Sequence, residues 1–145
     1  MKSIEIREIL EVNQQLVDQI KALLPQLTPT PSQITQASLE ELVSDKDSAL
    51  IGAYNENEIL VGMLSLVVFT IPTGKKAFIE DVVVDQTARG MGLGEKLLCK
   101  AIELAKSKRV KRIELSSRPS RVPANKLYQK LGFEIRETNF YRLEL

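Results

Sequence analysis

The stretch IEDVVVDQTARGMGLGEKLL, residues 79 to 98, constrains this chain more than any other. It starts as an apolar, β-forming run that ends at Val84, and it finishes in the first turns of an amphipathic helix. Between the two stand a short polar turn and glycines 90, 92 and 94. A strand that runs straight into a helix in this way belongs to a mixed α/β fold. The helix opens without Ser, Thr, Asp or Asn, so its first N–H groups have no side-chain acceptor. Glycines let the backbone approach a ligand closely, and free N–H donors carry partial positive charge; together they suit a pyrophosphate. Close packing of the helix on the strand is the other use such glycines have. Two familiar phosphate motifs fail on spacing: G-x-G-x-x-G from Gly90 needs glycine where Glu95 stands, and a P-loop needs G-K-[ST].

The rest of the chain extends the α/β pattern. Ile4 to Glu8 alternates as a first strand, and Asn13 to Leu24 places Leu16, Val17, Ile20, Leu23 and Leu24 at helical spacing before Pro25 ends the helix. The Pro-rich stretch from Leu27 to Ser32 is a loop, and Ser38 with Glu41 predicts a capping box for a short second helix. Ala49 to Tyr54 and Glu58 to Phe69 predict a hairpin around Asn55-Glu56-Asn57, whose asparagines tolerate left-handed geometry, with a third strand from Lys76 to Val84. Gly92 to Lys108 is the long amphipathic helix and Arg112 to Ser116 a short strand. A last helix is capped by Ser120 and ended by Gly132, and Phe133 to Arg136 and Phe140 to Leu145 are final strands. The order is β-α-α-β-β-β-α-β-α-β-β, with neither repeat nor linker, and predicts one domain over residues 1–145.

Composition excludes several chemistries. There is no histidine, which removes Ser-His-Asp and Cys-His sites and most zinc sites, so no metal is expected. The single cysteine, Cys99, excludes a disulfide framework and reads as a small buried hydrophobe in the long helix. The first fifteen residues have no signal-peptide pattern and the longest apolar stretch has eleven residues, which predicts a cytoplasmic chain with no membrane span. The net charge of +1 divides unevenly, into −4 over residues 1–47, −3 over 48–87 and +8 over 88–145. A basic C-terminal part suits an anionic ligand and an acidic N-terminal part a cationic one, although solvated surface explains the same charges. With 5% aromatic residues and no recognised module, nucleic acid is not expected as a partner.

R-x-x-G-x-G at Arg89, Gly92 and Gly94 resembles the acyl-CoA pyrophosphate loop of the GNAT N-acetyltransferase superfamily. Residues 124 to 133, ANKLYQKLGF, resemble the same family's late helix and the turn after it. The resemblance implies acetyl-CoA as co-substrate, held by the backbone of Arg89, Gly90, Met91, Gly92, Leu93 and Gly94. Its pantetheine arm would pair with the strand backbone at Val82 and Val84, with Asn125 as a further contact. It implies Tyr128 as the acid that protonates the leaving thiolate, a role open to a phenol because its pKa near 10 keeps it protonated. Glu80 is the candidate base and Asp81 the substrate contact. Strand alternation puts these two acids on opposite faces, one of them where a strand normally buries something. Each residue also has a structural reading: core packing for the valines and the tyrosine, surface for Asn125, loop anchoring for the acids. Arg118, Arg121, Lys126 and Lys130 offer charge to the 3′-phosphate of CoA, or only solvated surface.

The implied activity is acetyl transfer to a primary amine by direct attack in a ternary complex, with a small-molecule amine favoured over a protein amine. The competing reading is a non-catalytic acyl-CoA-binding or sensing module on the same fold. A homodimer is compatible with either.

Overall fold

The computed structural model describes residues 3–145. Strand β1 (Glu5–Glu8) is followed by helices α1 (Gln14–Leu23) and α2 (Gln36–Ser44), then by the strands β2 (Ser48–Tyr54), β3 (Leu60–Ile71) and β4 (Gly74–Val84). Helix α3 (Leu93–Ser107), β5 (Ile113–Glu114) and α4 (Val122–Lys130) complete the order. The five strands form one mixed sheet in the order β1-β2-β3-β4-β5, with every pair antiparallel except β4 and β5. Parallel neighbours need a long crossover, and α3 supplies it.

Both faces of the sheet are covered. Ile51, Leu64, Leu66 and Ile79 point to the face where Leu93, Leu97, Leu98 and Ala101 of α3 lie. Leu50, Met63 and Val83 point to the other, under Leu16, Val17 and Ile20 of α1 and Leu39 of α2. Strands buried on both sides read as continuous apolar runs, which is why β2 and β3 look so uniform in sequence.

Local chemistry differs from the sequence reading at five places. The cap of α2 is Thr35, with Ser38 as its reciprocal partner: the Ser38 N–H donates to Thr35 Oγ1 at 3.1 Å and the Thr35 N–H to Ser38 Oγ at 2.9 Å. Ser38 therefore lies inside the helix. In the β2–β3 turn the left-handed residue is Glu58, at φ 59°, while the Asn55 side chain accepts the N–H groups of Asn57 and Ile59. Helix α4 starts after Arg121 with no side-chain cap, not at Ser120; Pro123 in its first turn has no N–H to satisfy. Cys99 is exposed, because the buried stripe of α3 runs through 93, 97, 98, 101 and 105 and leaves 99 on the solvent side. Finally, the strands expected at Phe133 to Arg136 and Phe140 to Leu145 do not form in this chain, because no neighbouring edge pairs with them.

Leu97 is fully buried between α3 and the sheet. Leu97→Ala should lower unfolding stability by about 2–5 kcal/mol, the range for a core leucine that leaves a cavity. The change should appear as a lower urea midpoint at an unchanged slope. A loss below about 1 kcal/mol would contradict the packing of α3 described above.

Candidate active site

The site begins with an irregularity in β4. Met63 pairs with Val83 and Ser65 with Glu80, so Asp81 and Val82 together face the single residue Leu64. This is a β-bulge, and within it Asp81 takes a left-handed φ of 53°. The bulge resets the alternation of side chains. Glu80 and Asp81 are both exposed as a result, which corrects the expectation that one of them points into a buried face.

The bulge also ends the pairing with β5. Only Ala77 with Ile113 and Phe78 with Glu114 are paired. Beyond them β4 and β5 diverge around a cleft of about 280 Å³. Ile79, Glu80, Asp81 and Val82 form one wall, Leu115 and Ser116 the other, with Tyr128 between them. Leu27 and Thr28, from the loop after α1, and Arg121 close the rim. Val82 and Val84 are half-buried, their side chains packed against the α3-side core. Their packing and an open backbone edge coexist, because among the described residues no strand pairs, from Ile79 to Val84, with the side of β4 facing away from β3.

Tyr128 is 7% exposed and packs edge-on against Phe133, with ring centroids 6.1 Å apart. Its phenol makes no hydrogen bond to another protein group among the described residues. Burial raises its pKa above the ordinary value, opposed by the nearby charge of Arg121. The proton is therefore held firmly at neutral pH. Glu80 is also shifted upward, first by lost hydration and second by the negative charge of Asp81, with Arg142 acting in the opposite sense. A carboxylate whose pKa moves toward neutrality is a better proton acceptor. One cleft thus holds a proton donor and a strengthened proton acceptor.

The glycine turn lies where β4 runs into α3. Gly90 and Gly92 have φ of 80° and 75°, a conformation that favours glycine, and a Cβ built on either would meet nothing within 4 Å. Gly94 differs: a Cβ there would lie 3.2 Å from Leu127, so this glycine serves the contact between α3 and α4. The ligand-approach and packing readings of the run therefore divide among its members. Among the described residues no protein group accepts the N–H of Gly90, Met91, Gly92, Leu93, Gly94 or Glu95; the first helical bond runs from Lys96 N–H to Gly92 C=O at 3.1 Å. Open space in front of free donors at a helix start suits an anionic group such as a phosphate. The turn is fixed from behind, since Arg89 Nε donates to Val84 C=O at 3.2 Å and Asp85 accepts the Thr87 N–H at 3.0 Å.

The other candidates are placed less directly. The Asn125 amide donates to the carbonyls of Arg118 and Arg121, both at 2.9 Å, so its donors hold the loop before α4. Lys130 pairs with Glu95 at 3.0 Å, and Arg118, Arg121 and Lys126 are exposed. Leu115, Ser116 and the bulge itself were missed by the sequence reading. Ser116 carries no sequence signal, whereas adjacent acids inside an apolar strand are the one trace the bulge leaves. Among the described residues no cluster of three or more His, Cys, Asp or Glu could hold a metal, and no helix is long and apolar enough to cross a membrane.

A model of the acetyltransferase (GNAT) family matches residues 14–133. Streptothricin acetyltransferase of Escherichia coli is 38% identical over 92 residues, which are 63% of this chain and 51% of that protein. Glucosamine 6-phosphate N-acetyltransferase of Trypanosoma brucei brucei is 38% identical over 89 residues, 59% of this chain and 58% of that one. The chain spans about half the length of these curated relatives. A crystal structure of a Trypanosoma brucei acetyltransferase shares the fold at a TM-score of 0.81 and 28% identity, covering 99% of this chain and 100% of that chain.

The charge balance in the cleft is measurable without a ligand. Followed by NMR, the Glu80 carboxyl should titrate above the ordinary glutamate range, and Asp81→Asn should bring its midpoint down by removing the adjacent negative charge. A Glu80 midpoint at or below the ordinary value would contradict the described environment.

Proposed function

The chain belongs to the acetyltransferase (GNAT) family, and from that premise we propose that it transfers an acetyl group from acetyl-CoA to the primary amine of a small molecule. The observation that carries the proposal is the cleft itself, where β4 and β5 part around Glu80, Asp81 and a buried Tyr128. The free N–H groups of Gly90 to Glu95 support pyrophosphate binding next to it, with Arg89 bracing the turn. The open edge of β4 at Val82 and Val84 supports strand-like pairing with the amide groups of the pantetheine arm. With its amide donors engaged, Asn125 contributes as the brace of the α4 loop and through its free Oδ1.

Acetyl-CoA supplies a thioester carbonyl. In the reading we favour, Glu80 takes a proton from the incoming ammonium, directly or through one water, and Asp81 holds that cation in place. The free amine nitrogen forms a bond to the carbonyl carbon, the carbon–sulfur bond breaks, Tyr128 gives its proton to the departing thiolate, and the second proton that the nitrogen sheds as it becomes an amide returns through water to the Tyr128 phenolate. Direct attack of this kind needs both substrates bound at once, and a cleft open at the rim accommodates them. The relatives named for streptothricin and glucosamine 6-phosphate support a small-molecule amine, and an acidic pair in the cleft supports a cationic one. The proposed activity rests in one domain, since α1, α2 and α3 pack on the same sheet. An exposed, unpaired Cys99 suits a reducing compartment such as the cytoplasm.

Incubation of the protein with acetyl-CoA and a panel of aminoglycosides, amino sugar phosphates, polyamines and peptide amines should release thiol with at least one small-molecule amine. Tyr128→Phe should then lower kcat by about 10²- to 10⁴-fold while CoA affinity and folding are retained. An acyl donor with a better leaving thiol should restore the variant more than the native enzyme. Saturable CoA binding without thiol release across the panel would favour the sensing module instead.

A further inference from the structure

One side chain joins the rim of the cleft to the glycine turn. Residues 25–34 lie between α1 and α2, and Leu27 and Thr28 of this stretch close the rim. Leu27 and Ile34 rest on the α1-side core. The backbone bonds here are local: the N–H groups of Leu27 and Thr28 both donate to Leu24 C=O, at 2.9 and 3.0 Å, around a 3₁₀ turn, Leu24–Gln26, in which Pro25 fixes φ. Among the described residues a single side chain ties residues 25–34 by hydrogen bonding to a distant part of the chain. Gln26 Oε1 accepts the Gln86 N–H at 2.9 Å, across 60 positions of sequence.

Gln86 stands at the head of the segment that leads to the free N–H donors. It follows Asp85 at the end of β4 and begins a second 3₁₀ turn, Gln86–Ala88, ahead of Gly90. The first N–H of such a turn has no acceptor within it, and the Gln26 carbonyl supplies one. The segment is otherwise bonded to itself. Asp85 accepts the N–H and the hydroxyl of Thr87, both at 3.0 Å, the Ala88 N–H donates to Asp85 C=O at 2.9 Å, and Arg89 Nε donates to Val84 C=O. Residues 85–89 are thereby joined into one unit. The Gln26 side chain also acts on the Asp85 carboxylate, whose pKa is held below the ordinary value by the Thr87 N–H first, against some lost hydration, then by the Thr87 hydroxyl, Gln26 and Arg89. A primary amide suits both neighbours at once, accepting at Oε1 and donating at Nε2.

Resting on the acyl-CoA reading above, we propose that Gln26 is a positioning residue that links the glycine turn to the rim, so that phosphate held at Gly90 to Glu95 sets the place of Leu27 and Thr28. A phosphate on the free N–H groups draws the turn into one arrangement. Gln86 follows as part of the same bonded unit, and Gln26 carries the change to the two rim residues that come next in sequence. The rim that the amine meets is then most fully formed with the acetyl donor in place. Donor and acceptor bind with positive coupling, and each raises the affinity for the other by the same factor.

The test uses adenosine 3′-phosphate 5′-diphosphate, which has the phosphates of CoA but no pantetheine arm to enter the cleft. Added to the ¹⁵N-labelled chain, it should shift the amides of Gly90 to Glu95 and, on the same saturation curve, those of Leu27 and Thr28. In Gln26→Ala the turn amides should still shift and the rim amides should stay still. Gln26→Glu sets a second carboxylate beside Asp85 and should behave like Gln26→Ala; adding Asp85→Asn restores a donor opposite an acceptor, keeps an oxygen for the Thr87 N–H, and should bring the rim shifts back. With an amine that the panel finds active, Gln26→Ala should raise the amine KM by about three- to tenfold, the worth of one hydrogen bond, and change kcat by less than about twofold. Rim amides that stay still in the native chain while the turn amides shift would overturn the proposal and leave the acyl-CoA reading standing. So would rim shifts that persist in Gln26→Ala. A nucleotide that shifts no turn amide would overturn both.

Discussion

Pairing two residues of β4 against the single Leu64 of β3 is the constraint from which the candidate site follows. Up to Phe78 the strand stays beside β5; the bulge then turns it away, and the space between the strands becomes a cleft. The same extra residue brings Glu80 and Asp81 to one opening, where alternation alone would have separated them. Asp81 holds a left-handed backbone that costs a non-glycine residue about 1–3 kcal/mol, and such strain persists only where the surrounding structure enforces it. Here β3 is buried on both faces and fixes the register on either side of the bulge.

Around this cleft two electrostatic regions lie side by side. The acids at its mouth favour a cation, and lost hydration, then repulsion by Asp81, raises the proton affinity of Glu80. Beyond the end of β4, six backbone N–H groups without acceptors among the described residues favour an anion. An acetyl donor with a pyrophosphate and an acceptor with a protonated amine carry matching charges. The uneven distribution of charge along the sequence has a local counterpart here, with Lys130 of α4 engaged with Glu95 in the first turn of α3.

Much of the fold was legible because its signals are local. Glycines 90 and 92 mark a left-handed turn before a helix, Gly132 ends α4 with the Phe133 N–H bonded to Tyr128 C=O, and the apolar stripe of α3 reads at helical period. The candidate residues of the cleft were legible mostly through the family's motifs. The bulge was not, since it depends on how β4 registers with β3, and nothing within residues 79–84 dictates that pairing. Cap identity escaped at Thr35 because the neighbouring Ser38 offers an equally good hydroxyl, and at Arg121 because that helix start uses no side-chain cap at all. The two terminal strands expected at 133–136 and 140–145 do not form, since a strand needs a partner edge and among the described residues neither segment is paired.

The central claim is that free backbone N–H groups at the start of α3 and the open edge of β4 form one acyl-CoA site. An NMR titration of the ¹⁵N-labelled chain with CoA tests it amide by amide. The account predicts that the amides of Gly90 to Glu95 and of Ile79 to Val84 shift most, with a common saturation curve. Saturable binding of CoA that leaves both sets of amides unmoved would contradict it.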